Sequence, residues 1–253
     1  MAELKGEARA SYVAAMFARI ARTYDLMNTV MTGGQHHRWR SQAARLASVG
    51  LEGPALDVGT GTGDVAFALA KRPGIERVIG IDFVPEMVTA ATRKANRRKL
   101  KRPVEFFIGD ALTLPFPDNS FACVTSGFSL RNVIDLPGAI GEMARVVRPG
   151  GLVVSLEITP LERNGPFARL FRLYFHRLTP LIGGLLARDR EAYTYLPQSV
   201  ELFPSADRLA AVMEQAATDI KQIAKTAMGS PATEVEAAAM EQGATDMEQL
   251  ATT

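Results

Sequence analysis

Three acidic residues stand at the ends of short apolar runs in the first half of the chain. Asp57, Asp82 and Asp110 each come where a run typical of a buried strand stops. The runs alternate with helical patterns, which predicts parallel strands. Because the carboxyl ends of parallel strands meet at one edge of a sheet, these carboxylates are expected to line one ligand site there. Each acid alone could instead be the N-cap of the following helix, since aspartate favours that position.

Three glycines at alternate positions follow the first of these acids. Gly59, Gly61 and Gly63 lie between the apolar run 55–58 and a helical pattern. Glycine allows positive φ angles and close approach of the backbone to a ligand. The spacing G-x-G-x-G differs from the G-x-G-x-x-G of dinucleotide sites, which argues against a nicotinamide-dependent oxidoreductase. S-adenosylmethionine has no diphosphate to hold, and its ammonium group could pair with the carboxylate of Asp57.

The pattern D-x-G-x-G-x-G over residues 57–63 resembles motif I of Rossmann-like methyltransferases. The resemblance implies an α/β fold of the class I methyltransferase type: a mostly parallel, doubly wound sheet with N-terminal helices and a helical insertion after the fifth strand. A ribose-binding carboxylate belongs about 20 residues after the glycine turn in such folds, where Asp82 stands. In methyltransferases the position of Asp110 meets the adenine amino group.

The periodicity of apolar residues predicts where the elements lie. Helices are predicted over 8–31, 37–47, 65–70, 85–98, 136–147 and 166–187, and strands over 55–58, 77–82, 104–110, 121–126 and 152–158. We expect helices that cap the active site over 1–50 and one Rossmann-like domain over 51–217, with a helical lid at about 160–200. Residues 218–253 are rich in Ala, Glu, Gln and Thr, which predicts a low-complexity helical or disordered tail. No sixth or seventh strand is predicted.

Five motifs make the resemblance more specific. They are Arg22-Thr-Tyr-Asp-Leu-Met-Asn28, Gly34-Gln-His-His-Arg-Trp-Arg40, Leu114-Pro-Phe-Pro-Asp118, Gly127-Phe-Ser-Leu-Arg-Asn132 and Asp189-Arg-Glu-Ala-Tyr-Thr-Tyr-Leu-Pro197. Together they are similar to the ubiquinone/menaquinone biosynthesis C-methyltransferase family over residues 11–215. The resemblance implies transfer of a methyl group from S-adenosylmethionine to a ring carbon of a polyprenylated quinol. Demethylmenaquinol is the expected substrate, and 2-methoxy-6-polyprenyl-1,4-benzoquinol is the alternative.

The resemblance also implies a set of cofactor-binding residues at the carboxyl ends of the strands. The set is Asp57, Gly59, Gly61, Thr62, Asp82, Phe83, Asp110, Ala111 and Gly127. Family members often have serine where Gly127 stands, so a hydroxyl contact is lost there unless Ser126 replaces it.

The expected chemistry requires a ring hydroxyl to ionise, because only then does the ring carbon become a good nucleophile. Arg131 is the candidate that stabilises the developing phenolate; a salt bridge to a helix acid is its alternative role. Asn132 could orient a water molecule or the ring oxygen, and Tyr24 and Asp64 could complete a hydrogen-bonded relay. Because arginine stays protonated, water is expected to carry the proton.

The composition of the 253 residues limits the other function classes. A net charge of +2 does not demand nucleic acid, which argues against an RNA methyltransferase. The first seven residues lack an apolar core, and no run approaches ~18 apolar residues, so neither a signal peptide nor a membrane span is expected. The single cysteine, Cys123, fits a reducing compartment, and the expected location is the cytoplasm.

Peripheral contact with membrane lipid at the inner face of the membrane, and a homodimer, stay open. Basic residues cluster at 93–102, where a solvated helix end is the simpler interpretation. The segment 166–187 mixes aromatic with cationic residues, which suits a lid, a membrane surface or ordinary packing. No metal site is expected from His36, His37 and His176, because adjacent histidines lack the spacing of a helical ligand pair. Two alternative functions are another S-adenosylmethionine-dependent small-molecule methyltransferase and a cofactor-binding protein whose atypical C-terminus impairs catalysis.

Overall fold

A sheet of five parallel strands forms the centre of the protein, in the order β3-β2-β1-β4-β5. The computed structural model describes residues 4–161 and 165–228. The strands are β1 Gly53–Val58, β2 Ile75–Asp82, β3 Val104–Ile108, β4 Phe121–Gly127 and β5 Val147–Leu156. Successive strands are added on one side of β1 and then, from β4 onward, on the other side. This reversal leaves a crevice at the carboxyl ends of β1 and β4. The predicted α/β fold with a parallel, doubly wound sheet is confirmed.

Ten α-helices surround the sheet in the described residues. They are α1 Gly6–Ile20, α2 Tyr24–Thr32, α3 Gln35–Ala47, α4 Asp64–Leu69, α5 Pro85–Asn96, α6 Leu136–Val146, α7 Pro166–Leu173, α8 Thr179–Ile182, α9 Arg190–Glu201 and α10 Ala206–Met228. A 3-10 turn covers Leu130–Asn132, and two π-helical turns, Tyr174–Leu178 and Gly183–Ala187, flank α8. The segment after the fifth strand is therefore helical, as predicted.

The sheet is covered on both faces, which explains why its central strands read as continuous apolar runs. On one face, Ile140 and Met143 of α6 belong to the same apolar cluster as Val58 and Val124. On the other face, α4 packs on a second cluster that contains Cys123. Burial raises the pKa of the Cys123 thiol to about 12, so the thiol is inert, as expected for a cysteine inside a core strand.

Several predicted boundaries were wrong by a few residues. The single predicted N-terminal helix is two helices, because α1 ends at Ile20 and α2 begins at Tyr24. The last strand begins at Val147, although Pro149 and Gly150 suggested a turn there. β5 is an edge strand in the described part of the chain, where a proline without an N–H is tolerated. The pairing of β5 with β4 is irregular between Phe121 and Cys123, and Gly150, which has a positive φ, lies in the part of β5 opposite this irregularity.

The C-terminal part of the described chain adds a helix and no strand. Within residues 4–161 and 165–228 the sheet has five strands. α10, Ala206–Met228, packs against α6 and spans residue 217, the predicted end of the Rossmann-like domain. Residues 229–253 of the predicted tail lie outside the described residues. Among the helices that the structure does describe, none is both long enough and apolar enough to cross a bilayer.

Candidate active site

Two adjoining cavities open where the strands end. The larger one, called the cleft here, holds about 930 Å³ between its walls and its open mouth, within the usual size range of ligand pockets. The smaller one, the inner pocket, lies beneath the glycine turn. The two share Tyr24, Gly59, Gly61 and Gly127 in their walls. Such a crevice at the point where the strand order reverses is the common ligand site of open α/β sheets.

Of the thirteen residues predicted for the site, all but one line these cavities. The cleft adds Asp82, Phe83, Asp110, Ala111 and Asn132 to the shared residues, and the inner pocket adds Asp57, Thr62 and Asp64. Arg131 lines neither cavity. The structure therefore brings the predicted cofactor-binding residues together and sets one predicted catalytic residue apart.

The backbone geometry of the turn explains why glycine stands at positions 59, 61 and 63. Gly59, Gly61 and Gly63 have φ angles of 64°, 55° and 86°, which side-chain-bearing residues rarely adopt. A Cβ on Gly59 would lie 2.4 Å from the side chain of Ser129. A Cβ on Gly61 would meet nothing nearer than Tyr24 at 3.9 Å. The backbone at Gly61 thus faces open space and can be approached closely by a ligand.

Asp57 has a structural role that the sequence did not predict. Its two carboxylate oxygens accept hydrogen bonds from the hydroxyls of Thr60, at 2.6 Å, and Thr125, at 2.8 Å. The side chain is fully buried, and this burial raises the pKa of Asp57 to about 6. The carboxylate therefore joins the glycine turn to β4 and forms the floor of the inner pocket.

Asp82 ties the end of β2 to the glycine turn. One carboxylate oxygen accepts from the backbone N–H of Gly61 at 2.7 Å, and the other accepts from the N–H of Val84 at 2.9 Å. Burial raises the pKa of this carboxyl. The side chain also borders the cleft next to Phe83, whose ring is half exposed. These contacts fix a polar group beside an apolar surface, an arrangement suited to a nucleoside.

Asp110 and Ala111 follow β3 on the far wall of the cleft. The Asp110 carboxylate accepts from the backbone N–H of Leu112 at 2.9 Å, which closes a short turn. The predicted third strand ends two residues earlier than expected, at Ile108, so Asp110 belongs to the loop. The loop places a polar atom and the small side chain of Ala111 at the cleft wall.

Asp64 of α4 belongs to a charged cluster contributed by four helices. It accepts from Lys94 of α5 at 2.7 Å and from Arg40 of α3 at 2.8 Å. Burial alone would raise its pKa, but Lys94 and Arg40 outweigh burial and hold the pKa below its usual value. Asp25 of α2 joins the cluster, accepting from Thr62 at 2.5 Å and from Lys94 at 2.8 Å. An acid held ionised by two cations is a weak general base.

His36 and His37 approach this cluster more closely than their adjacency suggested. Their ring centroids are 3.8 Å apart, and with Asp64 they form a group of potential metal ligands. Arg40 already occupies the space between His36 and Asp64, because its Nη1 lies 2.6 Å from Nδ1 of His36 and 2.8 Å from the carboxylate of Asp64. Burial, with Arg40 and His37 adding to it, lowers the pKa of His36 to about 4. His36 is therefore neutral at pH 7 and serves as a partner of the guanidinium.

Arg131 lies outside the walls of both cavities, and its predicted role beside a substrate ring stays a prediction. Its guanidinium is 6% exposed and donates to the carbonyl oxygen of Phe128. It also lies 3.6 Å from the buried carboxylate of Glu157, directly after β5. The alternative role of Arg131 is a salt bridge to an acid on a helix. In the structure its acidic partner, Glu157, follows the end of a strand.

Glu157 is the site residue that the sequence analysis missed. Burial raises its pKa to about 7, although Arg131 opposes this rise. One of its oxygens accepts from the backbone N–H of Leu130 at 2.7 Å, so Glu157 holds the turn that carries Arg131 and Asn132. A lone glutamate at the end of the apolar run 152–158 was the signal that could have revealed it.

Asn132 faces the cleft and is fixed from behind by the helical insertion. Its side-chain oxygen accepts from the hydroxyl of Tyr195 on α9 at 3.2 Å. Ser126 does not supply the hydroxyl that Gly127 lacks, because its oxygen is 2.5 Å from that of Ser129 and it lies outside the cleft wall. Ser129 itself lines the cleft, so its hydroxyl and not that of Ser126 belongs to the cleft wall.

The residues present fit an S-adenosylmethionine molecule along the ends of β1, β2 and β3. The open backbone at Gly61 suits the amino-acid end, Asp82 suits ribose hydroxyls, and Asp110 suits an adenine amino group. Apart from Ser129 and Asn132, the rest of the cleft wall is mostly apolar. It is formed by Val13, Phe17, Met87, Leu112, Phe128 and Ile134. The cleft thus combines a polar end with room for an apolar second molecule.

Comparison with known proteins identifies the family. The model of the ubiE/COQ5 methyltransferase family matches residues 4–237. The demethylmenaquinone methyltransferase of Thermus thermophilus is 45% identical over 207 residues, covering 81% of this chain and 92% of that protein. The enzyme of the same name from Bacillus licheniformis is 40% identical over 221 residues, covering 87% and 94%.

Solved structures agree at the level of the fold. The YcgJ protein from Bacillus subtilis is 26% identical, with a TM-score of 0.53 over 72% of this chain and 68% of that chain. A SAM-dependent methyltransferase from Thermotoga maritima is 20% identical, with a TM-score of 0.56 over 80% and 79%, and shows the fold alone. The predictions of a class I methyltransferase fold and of S-adenosylmethionine as methyl donor are confirmed. The chain belongs to the ubiE/COQ5 methyltransferase family.

Proposed function

We propose that this methyltransferase methylates a ring carbon of a polyprenylated quinol, and that the quinol is demethylmenaquinol. Relatives named demethylmenaquinone methyltransferase share 38–45% identity with most of the chain. The observation that carries the proposal is the composition of the cleft, in which a polar nucleoside-sized end continues into an apolar wall. A naphthoquinol ring is flat, apolar and edged by two hydroxyls, and it matches that wall.

The cofactor supplies an electrophilic methyl group on a positively charged sulfur. The chain's residues would hold the cofactor at the polar end of the cleft. Asp82 is placed to accept from the ribose hydroxyls, and Phe83 offers a half-exposed ring to the adenine. Gly59 and Gly61 allow the backbone to approach the amino-acid end, while the Asp57 carboxylate below them supplies negative potential for the ammonium.

The quinol end depends on the 3-10 turn Leu130–Asn132. Asn132 offers a side-chain amide to a ring oxygen and is oriented by Tyr195. Arg131 supports this turn from behind through Phe128 and Glu157, and its fixed charge favours an ionised ring hydroxyl in front of the turn. Tyr24, at the junction of cleft and inner pocket, connects the ring side to the Asp64 cluster as a proton relay with water.

The polyprenyl tail of such a substrate resides in a bilayer, so we propose a cytoplasmic protein that contacts the inner face of the membrane peripherally. The unpaired edge of β5 in the described residues also supports a homodimer, because an open apolar edge strand favours pairing with another chain. Light scattering of the purified protein measures directly whether it is a homodimer.

A paired assay tests the proposed reaction. The protein is incubated with S-adenosylmethionine and, in parallel, demethylmenaquinol or 2-methoxy-6-polyprenyl-1,4-benzoquinol with the same tail. We expect the naphthoquinol to gain the mass of one CH₂ unit much faster than the benzoquinol. Faster turnover of the benzoquinol would reassign the ring. Tight cofactor binding without turnover of either would favour a cofactor-binding protein with impaired catalysis.

A further inference from the structure

Six leucines stand exposed on the helical segment that follows the fifth strand. They are Leu170, Leu173, Leu178, Leu181, Leu185 and Leu186, with exposed fractions between 44% and 80%. These six residues are called the leucine ridge below. Single exposed leucines are ordinary, but a contiguous apolar patch on a soluble domain marks a surface that something covers.

The two π-helical turns align these leucines on one face. From Leu170 to Leu173 and from Leu178 to Leu181 the spacing is three residues, as on one side of an α-helix. The spacing from Leu173 to Leu178 is five, and it spans the first π turn. A π turn takes one residue more than an α turn, so the longer step returns to the same side. The spacing from Leu181 to Leu186 spans the second π turn in the same way.

The segment that carries the leucine ridge is rich in positive charge, although the exposed carboxylate of Glu201 on α9 pairs with His176 at 3.0 Å. Residues 165–190 contain five arginines and one carboxylate, that of Asp189. Asp189 already accepts from Arg19 of α1 at 2.8 Å, which removes its charge from the surface balance. Arg169, Arg177 and Arg188 are exposed beside the leucines. An apolar stripe flanked by cations is the surface that lies in the headgroup region of anionic lipid.

The opposite face of the same segment packs on the helices that border the cleft. Tyr174 donates to the carbonyl oxygen of Met31 at 2.7 Å, and Ile182 packs on the cluster formed by α1 and α9. In that cluster Val13 also lines the cleft, and Tyr195 holds Asn132. The leucine ridge and the cleft are therefore two sides of one helical layer.

We propose that the leucine ridge lies in the headgroup layer of an anionic membrane and holds the helical layer that borders the cleft at the bilayer surface. The proposal rests on the proposed function for the identity of the substrate, a quinol whose tail stays in the lipid while its ring enters the cleft. Positive charge selects lipid over a second copy of this chain, because two such arginine-rich faces repel each other. The leucines supply insertion, and the arginines supply the preference for anionic headgroups.

Vesicle sedimentation with a doubly charged variant tests the docking surface. L173E/L181E places two carboxylates on the ridge; L46E/V49E places two on similarly exposed apolar positions of the α3–β1 region, away from the carboxyl ends of the strands. Vesicles contain phosphatidylcholine with or without 30% phosphatidylglycerol. We expect the wild-type chain and L46E/V49E to bind phosphatidylglycerol vesicles, and L173E/L181E to bind at least ~10-fold more weakly. Raised salt should weaken wild-type binding.

The readouts separate this proposal from the proposed function. Unchanged S-adenosylmethionine affinity in L173E/L181E shows that the variant is folded. We expect it to methylate a short-chain quinol in solution as fast as the wild type, and a long-chain quinol in vesicles ~10-fold more slowly. If no quinol is methylated but vesicle binding depends on the ridge, the docking surface stands and the substrate assignment fails. Equal vesicle binding by the wild type and L173E/L181E, or a dimer that dissociates only in L173E/L181E, would overturn the lipid as occupant.

Discussion

The hydroxyl of Tyr195 on α9 donates to the side-chain oxygen of Asn132 at 3.2 Å. This bond connects the helical insertion to the 3-10 turn at the cleft wall, across 63 residues of sequence. Asn132 and Tyr24 are the two predicted catalytic residues that line the cleft, and Tyr195 supports Asn132. The orientation of the amide in the cleft therefore depends on an element far away in the chain.

Tyr195→Phe should slow methyl transfer while leaving the cofactor site intact. Without the hydroxyl, the Asn132 amide can rotate. The lost hydrogen bond contributes about 1 kcal/mol to the free energy that holds the amide in its orientation. We expect kcat to fall several-fold and the calorimetric affinity for S-adenosylmethionine to stay unchanged. Tyr174→Phe is the matched control, because it removes a similar bond to the Met31 carbonyl away from the cleft. Equal kcat values for the two variants would remove Tyr195 from the site.

Asp82→Ala should weaken cofactor binding before it affects anything else. The carboxylate organises the Gly61 N–H and, in the proposed complex, accepts from the ribose. Losing hydrogen bonds to a charged group costs about 1.5–3 kcal/mol, which corresponds to a roughly 10- to 100-fold rise in Kd by calorimetry. Asp118→Ala, at an exposed ion pair with Arg145, is the control that should bind normally. An unchanged Kd in Asp82→Ala would contradict the ribose assignment.

Arg131→Ala should lower turnover, because the 3-10 turn loses its support and the ring oxygen loses a nearby positive charge; the loss should be smaller than the ~10²-fold of a donor in direct contact with the oxyanion. The single variant also leaves the Glu157 carboxylate buried without its cation, which destabilises the fold. The pair is therefore removed together in Arg131→Met/Glu157→Gln, which should restore thermal stability and cofactor affinity but leave turnover low. Wild-type turnover in that double variant would mean that Arg131 has no part in the reaction.

The stability of the protein should fall as pH rises through the titration of Glu157. Burial raises the folded-state pKa of Glu157 to about 7, above the ordinary value of 4.5, so the folded state holds this proton more tightly than the unfolded chain. Its contribution is complete below about pH 4.5 and is lost by about pH 7. Glu157→Gln should flatten this part of the curve in chemical denaturation.

Glu142→Gln is the control for that pH dependence. The hydrogen bond from Arg145 lowers the pKa of Glu142, so its contribution is present at neutral pH and disappears as pH falls below the ordinary value. The variant should leave the slope between pH 4.5 and 7 as in the wild type. A wild-type slope in Glu157→Gln would show that Glu157 titrates normally.

The cofactor end of the site could be predicted from sequence because its determinants are local. Gly59, Gly61 and Asp82 sit where strands end, and positive φ angles and strand ends leave direct marks in the residue pattern. The parallel sheet itself follows from alternation of strand and helix. These features depend on neighbours within a few residues.

The catalytic end was harder because it depends on long-range contacts. Arg131 meets Glu157 after the next strand, and nothing in the motif 127–132 indicates which acid would draw the guanidinium away from the cleft. The Asp64 cluster joins four helices through Arg40 and Lys94 in the same way. Side chains long enough to choose among several partners are positioned by tertiary packing, which the sequence pattern does not encode.

Transfer to a ring carbon is tested most directly with S-adenosylmethionine deuterated in its methyl group. The protein and demethylmenaquinol are incubated with this donor, and the product is examined by mass spectrometry and NMR. We predict one trideuteromethyl group bonded to the ring carbon, with one equivalent of S-adenosylhomocysteine released. Deuterium on a ring oxygen, or none in any quinol while the donor is bound, would contradict the proposed reaction.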